Sequence, residues 1–450
     1  MLKKNNIRKN IFWIIDALTG GNVKNHLKEI NIILDDPVSK RAKKIQNNNL
    51  RNILKHAANT TPYYKNYNNS NSVLDFPVIN KKIIQDNYEQ FQSLEYKNKK
   101  KIKVSTSGST GIPFILFQDK NKKKRNKADV IYFMRQCNYD IGNKLYQLGA
   151  WLAFEKRSPL KSQFQNVLEI DISKFSDEKI IKLLRDLEAD SSSNKAILGH
   201  VTAFEMILKF LETNNKRVDN IKLNSIITNA EYLNPKTKAL LRDYFNTPVL
   251  SRYSSEEVGI IAHQTISSPN KFVANHASYH VEILNLNNDS PVKSGEFGRI
   301  VITDLFNYAM PLIRYDTGDV AKLNICDNGK IEFEQIEGRK MDLVYDTQGN
   351  ILSAWVVYKI IYKYYKFLKQ YQFIQQNQKD YEIRLNFQGE KFDFEKELIK
   401  EVKIEFGNDA NIIITYTNEI PPLASGKRRK VINNYVKTNP LSTEILKDFS

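Results

Sequence analysis

The chain has 450 residues, 41% of them hydrophobic and 26% charged, with 68 Lys and Arg against 50 Asp and Glu and a formal net charge of +18. These values exclude a disordered or collagen-like chain and leave room for one large and one small domain. Two cysteines, Cys137 and Cys326, exclude a disulfide framework and a cysteine-rich zinc site and fit a reducing cytoplasm. The positive charge would attract polyanions or an anionic membrane surface. No basic surface interleaved with stacking aromatics and no recognisable module is legible, so nucleic acid is not the expected principal partner.

The first hundred residues read as mainly helical. Near the start, Ile11-Phe12-Trp13-Ile14-Ile15 follows Lys3, Lys4, Arg8 and Lys9. The patch is shorter than the ~20 residues that span a bilayer. It reads as an amphipathic helix docked on the body, as a peripheral anchor at the inner face of the membrane, or as a weak signal-like sequence. Residues 101–117 then read as a hairpin around Ser105-Thr106-Ser107-Gly108-Ser109-Thr110-Gly111. Glycines bring backbone N–H groups close to a ligand and hydroxyls add donors for phosphate oxygens, so this loop reads as a phosphate cradle or as a polar turn. It is no Walker A motif, because no Gly-Lys-Ser/Thr follows and the next segment looks like a strand. Basic runs at 97–103 and 120–127 flank it and would concentrate a polyphosphate, or are solvated surface.

Residues 126–137 read as a helix, after which a doubly wound pattern emerges: strand 196–198, helix 202–213, strand 224–228, helix 235–245, strand 249–253. Asn234 before Pro235 marks a helix start. The last strand delivers the acidic loop Ser254-Ser255-Glu256-Glu257 at its C-terminal end, where ligands sit in open α/β sheets. Residues 280–323 read as an antiparallel β subdomain. Gly338 opens a hinge, and beyond it strand 381–387, helix 394–406 and strand 410–417 suffice for a small domain. The expected division is 1–337, a large ATP- and acid-binding domain, and 338–450, a small lid carrying the catalytic lysine.

The loop at 105–111, Tyr253 to Gly259, Ile313 to Asp319, Gly338-Arg339-Lys340-Met341-Asp342 and Ser425-Gly426-Lys427 follow one another in the order of the adenylate-forming superfamily. The chain resembles that superfamily, and within it the phenylacetate-CoA ligase family and its capsule-polysaccharide, CapK-like branch, from about residue 50 to about 434. The resemblance implies an α/β fold with a large multi-subdomain N-terminal domain and a small mobile α+β C-terminal domain. It implies an AMP-forming carboxylic acid ligase that uses ATP, Mg²⁺ and CoA. A carboxylate is activated as acyl-AMP and passed to CoA. The alternatives are a non-CoA acceptor in cell-surface polysaccharide biosynthesis and a noncatalytic nucleotide-binding scaffold of that pathway.

By the same resemblance, Ser105 to Gly111 hold the β- and γ-phosphates and Glu257 sits near Mg²⁺, with Glu256 as a confusable neighbour. Asp319 receives the ribose hydroxyls, while Asp316 is left as a turn former. Tyr253 lies beside the adenine, and Asn229-Ala230-Glu231 runs along its pocket, with Asn229 where the family usually has glycine. Arg339 contacts phosphate or ribose at the hinge, where Met341 replaces the usual acidic or lysine residue. Lys427 orients the substrate carboxylate and stabilises charge near the α-phosphate. His276 and His280, near Glu282, invite a metal reading that lacks further ligands. His200 lines the acyl pocket or caps a turn.

Overall fold

The computed structural model describes residues 2–70, 72–106, 114–149, 157–172, 175–326, 329–339, 344–352, 356–357, 360–361, 363–364, 367–387, 392–421 and 429–435. The chain forms two compact units, Met1–Ile336 and Glu337–Ser450.

The first unit begins with helices α1 (Leu2–Leu18), α2 (Asn22–Asp35), α3 (Lys40–Thr60) and α4 (Lys81–Asp86). Phe12 and Trp13 of α1 pack against a core that includes Val23, Leu27 and Phe133. The buried Asp16 carboxylate accepts from the N–H groups of Val23 and Lys24 at 3.1 and 2.9 Å and so caps α2. Ile7, Ile14 and Leu18 face outward. Among the described residues no helix is long and apolar enough to cross a membrane. Strands β1 (Ile102–Thr106) and β2 (Phe114–Gln118) pair antiparallel, with Thr106 opposite Phe114.

Helix α5 (Lys120–Arg135) begins six residues before the expected start at 126, because Asp119 caps it by accepting from Lys122 N at 2.9 Å. Two cations of the basic run 120–127 are thereby taken out of solvent, while Lys120 and Lys127 stay exposed. Lys122 and Arg125 are fully buried, Lys122 against Asp304 at 2.7 Å and Arg125 against Glu29 at 2.7 Å and Ser278 at 2.8 Å. Lysine stems and guanidinium stacking on Phe306 let cations occupy an interior face that charge counting assigns to solvent.

The doubly wound region follows as β3 (Lys144–Gly149), α6 (Pro159–Gln165), β4 (Val167–Asp171), α7 (Asp177–Ala189), β5 (Lys195–His200), α8 (Val201–Thr213), β6 (Ser225–Asn229), α9 (Pro235–Phe245) and β7 (Val249–Ser255). Strands β3 and β4 have no counterpart in the sequence reading, because Lys144, Tyr146, Gln147 and Glu169 mask their apolar character. Helix α9 starts where Asn234 accepts from Thr237 N at 2.8 Å, with Pro235 in the first turn. Helix α8 buries Val201, Phe204, Ile207, Leu208 and Leu211 at helical spacing, each contributing about 1.5–3 kcal/mol.

The unit closes with β8 (Gly259–His263), β9 (Phe272–Ala274), β10 (Tyr279–Leu284), β11 (Phe297–Asp304), β12 (Tyr315–Ile325) and β13 (Ile331–Arg339). Among the described residues these join one sheet of order β10-β11-β12-β13-β9-β8-β7-β6-β5-β3-β4. Its half from β4 to β7 is parallel, and β7 to β8, β8 to β9 and β10 to β12 are antiparallel, the last matching the expected β subdomain. Strand β7 lies where the two halves meet, so its C-terminal end opens beside strands of both.

The second unit has a small hairpin, β14 (Val344–Tyr345) and β15 (Ile351–Leu352), then β16 (Leu368–Gln375), β17 (Asp380–Phe387), α10 (Glu395–Phe406), β18 (Asn411–Tyr416) and β19 (Val431–Asn433). Its sheet runs β18-β17-β16-β19. Helix α10 makes the crossover between the parallel pair β17 and β18 and buries Leu398, Val402 and Phe406 against Phe373, Tyr381 and Ile383.

Candidate active site

Strand β7 is buried over Val249, Leu250 and Ser251 and then emerges. Its register against β8 shifts between Tyr253 and Ser254, a bulge that re-aims the strand end. The Tyr253 hydroxyl donates to Asp319 Oδ2 at 2.6 Å and to Thr317 Oγ1 at 3.4 Å. Burial, followed by the Asp319 charge, holds the phenol well above its ordinary range, so it stays a protonated donor.

The segment carrying Asp319 is shaped by its own side chains. Gly318 has φ +81°, and its N–H donates to Asp316 Oδ1 at 2.8 Å, while Asp319 N donates to Thr317 Oγ1 at 3.2 Å. Asp316 Oδ2 also accepts from Arg299 at 2.6 Å. The two aspartates therefore divide their work: Asp316 holds the backbone and Arg299, and Asp319 meets Tyr253.

Glu257 lies in the turn between β7 and β8. Its backbone carbonyl accepts from Gln118 Nε2 at 2.7 Å, which ties the end of β2 to this turn across 139 residues of sequence. Gln118 is fully buried, and its Oε1 accepts from Asn126 Nδ2 at 3.4 Å. Gly259 completes the clamp with φ +107°, and a Cβ there would stand 2.9 Å from Asn126 Oδ1. Among the described residues the Glu257 carboxylate makes no hydrogen bond or ion pair, whereas exposed Glu256 acts electrostatically on Lys123. A half-buried carboxylate left without a partner suits a hard divalent cation, which needs few protein ligands when phosphates and water supply the rest.

Beyond β6, Ala230 takes φ +69°, a left-handed conformation that costs a non-glycine residue about 1–3 kcal/mol and tends to persist at functional sites. The Glu231 carboxylate accepts from Thr202 N at 2.7 Å and Thr202 Oγ1 at 2.8 Å. It is thereby committed to the first turn of α8, a favourable place for a negative charge. Asn229 Oδ1 is buried without a hydrogen-bond partner.

The structure thus brings Tyr253, Asp319, the Glu257 turn and the β1–β2 hairpin that carries Ser105 and Thr106 to linked positions. Ser107, Gly108, Ser109, Thr110, Gly111 and Lys427 lie outside the described residues, as do the side chains of Thr106 and Arg339. Arg339 ends β13. In the second unit, residues flanking 422–428 are tied to β16: Ile420 N donates to Gln370 Oε1 at 2.6 Å, and Phe373 N donates to the Lys430 carbonyl at 2.8 Å. Gln118 and Asn126 were not singled out in the sequence, because nothing local distinguishes a buried amide that acts over such a separation. His276 sits in a turn and His280 on β10. Burial lowers the His276 imidazole to about 4, and no group of three metal-ligating residues forms among the described residues.

Comparison with known proteins agrees with this architecture. The family described as CapK C-terminal domain matches residues 344–434. Protein CapK of Staphylococcus aureus is 23% identical over 381 residues, covering 81% of this chain and 80% of its own. The crystal structure of 2-hydroxyisobutyryl-CoA ligase in the postadenylation state, in complex with R3-HIB-AMP, matches with a TM-score of 0.70 at 13% identity, covering 91% of this chain and 92% of that one. ATP-bound MatB from Rhodopseudomonas palustris matches at 0.54 and 16% identity, over 73% of this chain and 66% of its own. The anthranilate CoA ligase AuaEII with anthranoyl-AMP matches at 0.52 and 13% identity, over 72% and 65%.

Proposed function

We propose that this chain, similar to Protein CapK and sharing the fold of the adenylate-forming ligases, activates a carboxylic acid with ATP and passes the acyl group to CoA. The observation that carries this reading is the 2.6 Å contact between Tyr253 and Asp319, which joins two motifs 66 residues apart at the end of the sheet. Asp319 accepts the ribose hydroxyls with its negative oxygens, held in place by the Tyr253 hydroxyl. The Tyr253 ring packs beside adenine, with the left-handed turn at Ala230 shaping the other wall.

Ser105 to Gly111 cradle the β- and γ-phosphates with hydroxyl and backbone donors. Glu257 would hold Mg²⁺, which would supply neutralisation of charge on the phosphate oxygens. Lys427 orients the acid, and Arg339 contacts the nucleotide from the hinge. A carboxylate oxygen attacks the α-phosphorus and the bond to the β-phosphate oxygen breaks, giving acyl-AMP and pyrophosphate. The CoA thiol then loses its proton and attacks the acyl carbon, and AMP leaves. The division of labour is a large unit, 1–337, that binds ATP and acid and a small unit, 338–450, that carries Lys427.

The resemblance to the capsule-polysaccharide, CapK-like branch leaves a second reading of the last step, with an amine or hydroxyl of cell-surface polysaccharide assembly as acceptor in place of CoA. The test is pyrophosphate release with a carboxylic-acid library, with and without CoA, for wild type and Lys427→Ala. Acid-dependent release that falls about 10²- to 10³-fold in the variant, with ATP binding retained, is the expected result. A thioester formed only with CoA selects the first acceptor. A folded, ATP-binding wild type silent across the library would instead point to a nucleotide-binding scaffold.

A further inference from the structure

A second set of polar groups stands on the opposite face of β7 from Tyr253. Strands β5, β6 and β7 are parallel and in register, with His200 beside Asn229 and Thr228 beside Ser251, so Arg252 comes next to Asn229. Alternation along the strands puts these three on the side of Leu198, Ile227 and Leu250, which cluster with Met134 and Cys137. His200, Asn229 and Arg252 therefore form one row at the C-terminal edge of the parallel sheet, where such sheets bind ligands.

Two members of the row have unmet hydrogen-bonding capacity. Asn229 Oδ1 and Arg252 Nε are both buried without a hydrogen-bond partner. The Arg252 guanidinium lies 3.0 Å from the Met134 thioether and pairs with no carboxylate among the described residues. Its titratable neighbours do not compensate it. Burial pushes the Cys137 thiol up to about 12 and the His263 imidazole down to about 3, so both are neutral near pH 7. Burial lowers Arg252 itself only to about 10, which leaves it cationic. Arg252 is half-buried, so its cation, with no carboxylate beside it among the described residues, stays within reach of an anionic group that arrives at this edge of the sheet.

We propose that Arg252 determines substrate specificity by receiving a second anionic group of the acid, so that the substrate class is a dianionic acid, with Asn229 Oδ1 accepting from a hydroxyl or amine on the same molecule. The inference rests on the adenylation reading. The carboxylate that reacts must reach the α-phosphate on the Tyr253 and Asp319 side. Arg252 points from the other face of the strand and meets the far end of the acid.

The test compares succinate, glutarate and benzene-1,4-dicarboxylate with butyrate, valerate and benzoate, in wild type, Arg252→Met, Arg252→Lys and Asn229→Asp. Pyrophosphate release, ATP binding and melting temperature are measured. Wild type is expected to favour at least one dicarboxylate over its monoacid partner. Arg252→Met should lower kcat/KM for it by about 10²-fold, with ATP binding retained, while Arg252→Lys recovers part of the loss. Asn229→Asp supplies an anion from the protein itself, and should raise the melting temperature while abolishing the dicarboxylate preference. That variant keeps the proposal testable should Arg252→Met fail to fold.

Equal use of monoacids and dicarboxylates by wild type, with a ratio unchanged in Arg252→Met, overturns the role of Arg252 and leaves adenylation standing. Should no acid release pyrophosphate, the adenylation reading fails, and the melting temperatures decide separately. A rise with a dicarboxylate in wild type and not in Arg252→Met still supports the anion site, and no rise overturns it.

Discussion

At the scale of single residues, Tyr253 and Asp319 are separable by experiment. Asp319→Asn removes the charge that would accept the ribose hydroxyls, and loss of a hydrogen bond to a charged group is worth about 1.5–3 kcal/mol. ATP affinity should fall roughly 10- to 100-fold in calorimetric titration. Tyr253→Phe keeps the ring and deletes only the 2.6 Å donor to Asp319, so it should weaken ATP about tenfold at most. Equal losses in the two variants would contradict a ribose-binding Asp319. Asp316 already accepts from Arg299 and from the N–H of Gly318, so its oxygens are committed to holding the segment in place.

At the scale of elements, α5 connects the core to the site. Lys122, on its first turn, is buried against Asp304 of β11 at 2.7 Å. Removing one partner of a buried pair leaves the other charge without compensation and costs about 3–5 kcal/mol. Lys122→Met is therefore expected to lose about that much in urea denaturation, and the double variant with Asp304→Asn to recover a large part. A Lys122→Met protein as stable as wild type would show that water reaches Asp304. The same helix carries Asn126, so loosening α5 should also disturb the Gln118 contact that holds the Glu257 turn.

At the scale of the whole molecule, two buried imidazoles set an acid limit. His263 is lowered from 6.5 to about 3 and His276 to about 4, in both cases chiefly by burial, so each is neutral when folded and free to protonate when unfolded. The unfolded chain then binds more protons below pH 6.5. Stability is full above that value, falls as the pH drops toward 4, and levels only below the folded values. The expected loss by pH 4.5 is roughly 2–3 kcal/mol per histidine. His263→Phe, which keeps the stacking on Phe133, should flatten the His263 share of that decline in urea midpoints measured from pH 7 to 4.5. Midpoints that do not change over that range would contradict neutral burial of both rings.

Sequence alone determined much of this protein: the α/β class, the helices at 202–213 and 235–245, the strand that delivers Tyr253, and the antiparallel strands after residue 280. These features rest on periodicity, caps and glycine torsions, which act over a few residues and so are written locally. Tertiary structure decided the rest. It drew β3 and β4 from polar-looking segments, buried Lys122 and Arg125 in a stretch that reads as solvated charge, and assigned Glu231 to the first turn of α8. It also set Arg252 next to Asn229 in the strand register, with no carboxylate paired to it among the described residues. Each of these depends on which group lies opposite in space, often more than a hundred residues away. Burial and charge pairing are properties of such pairs, and no single stretch of sequence carries them.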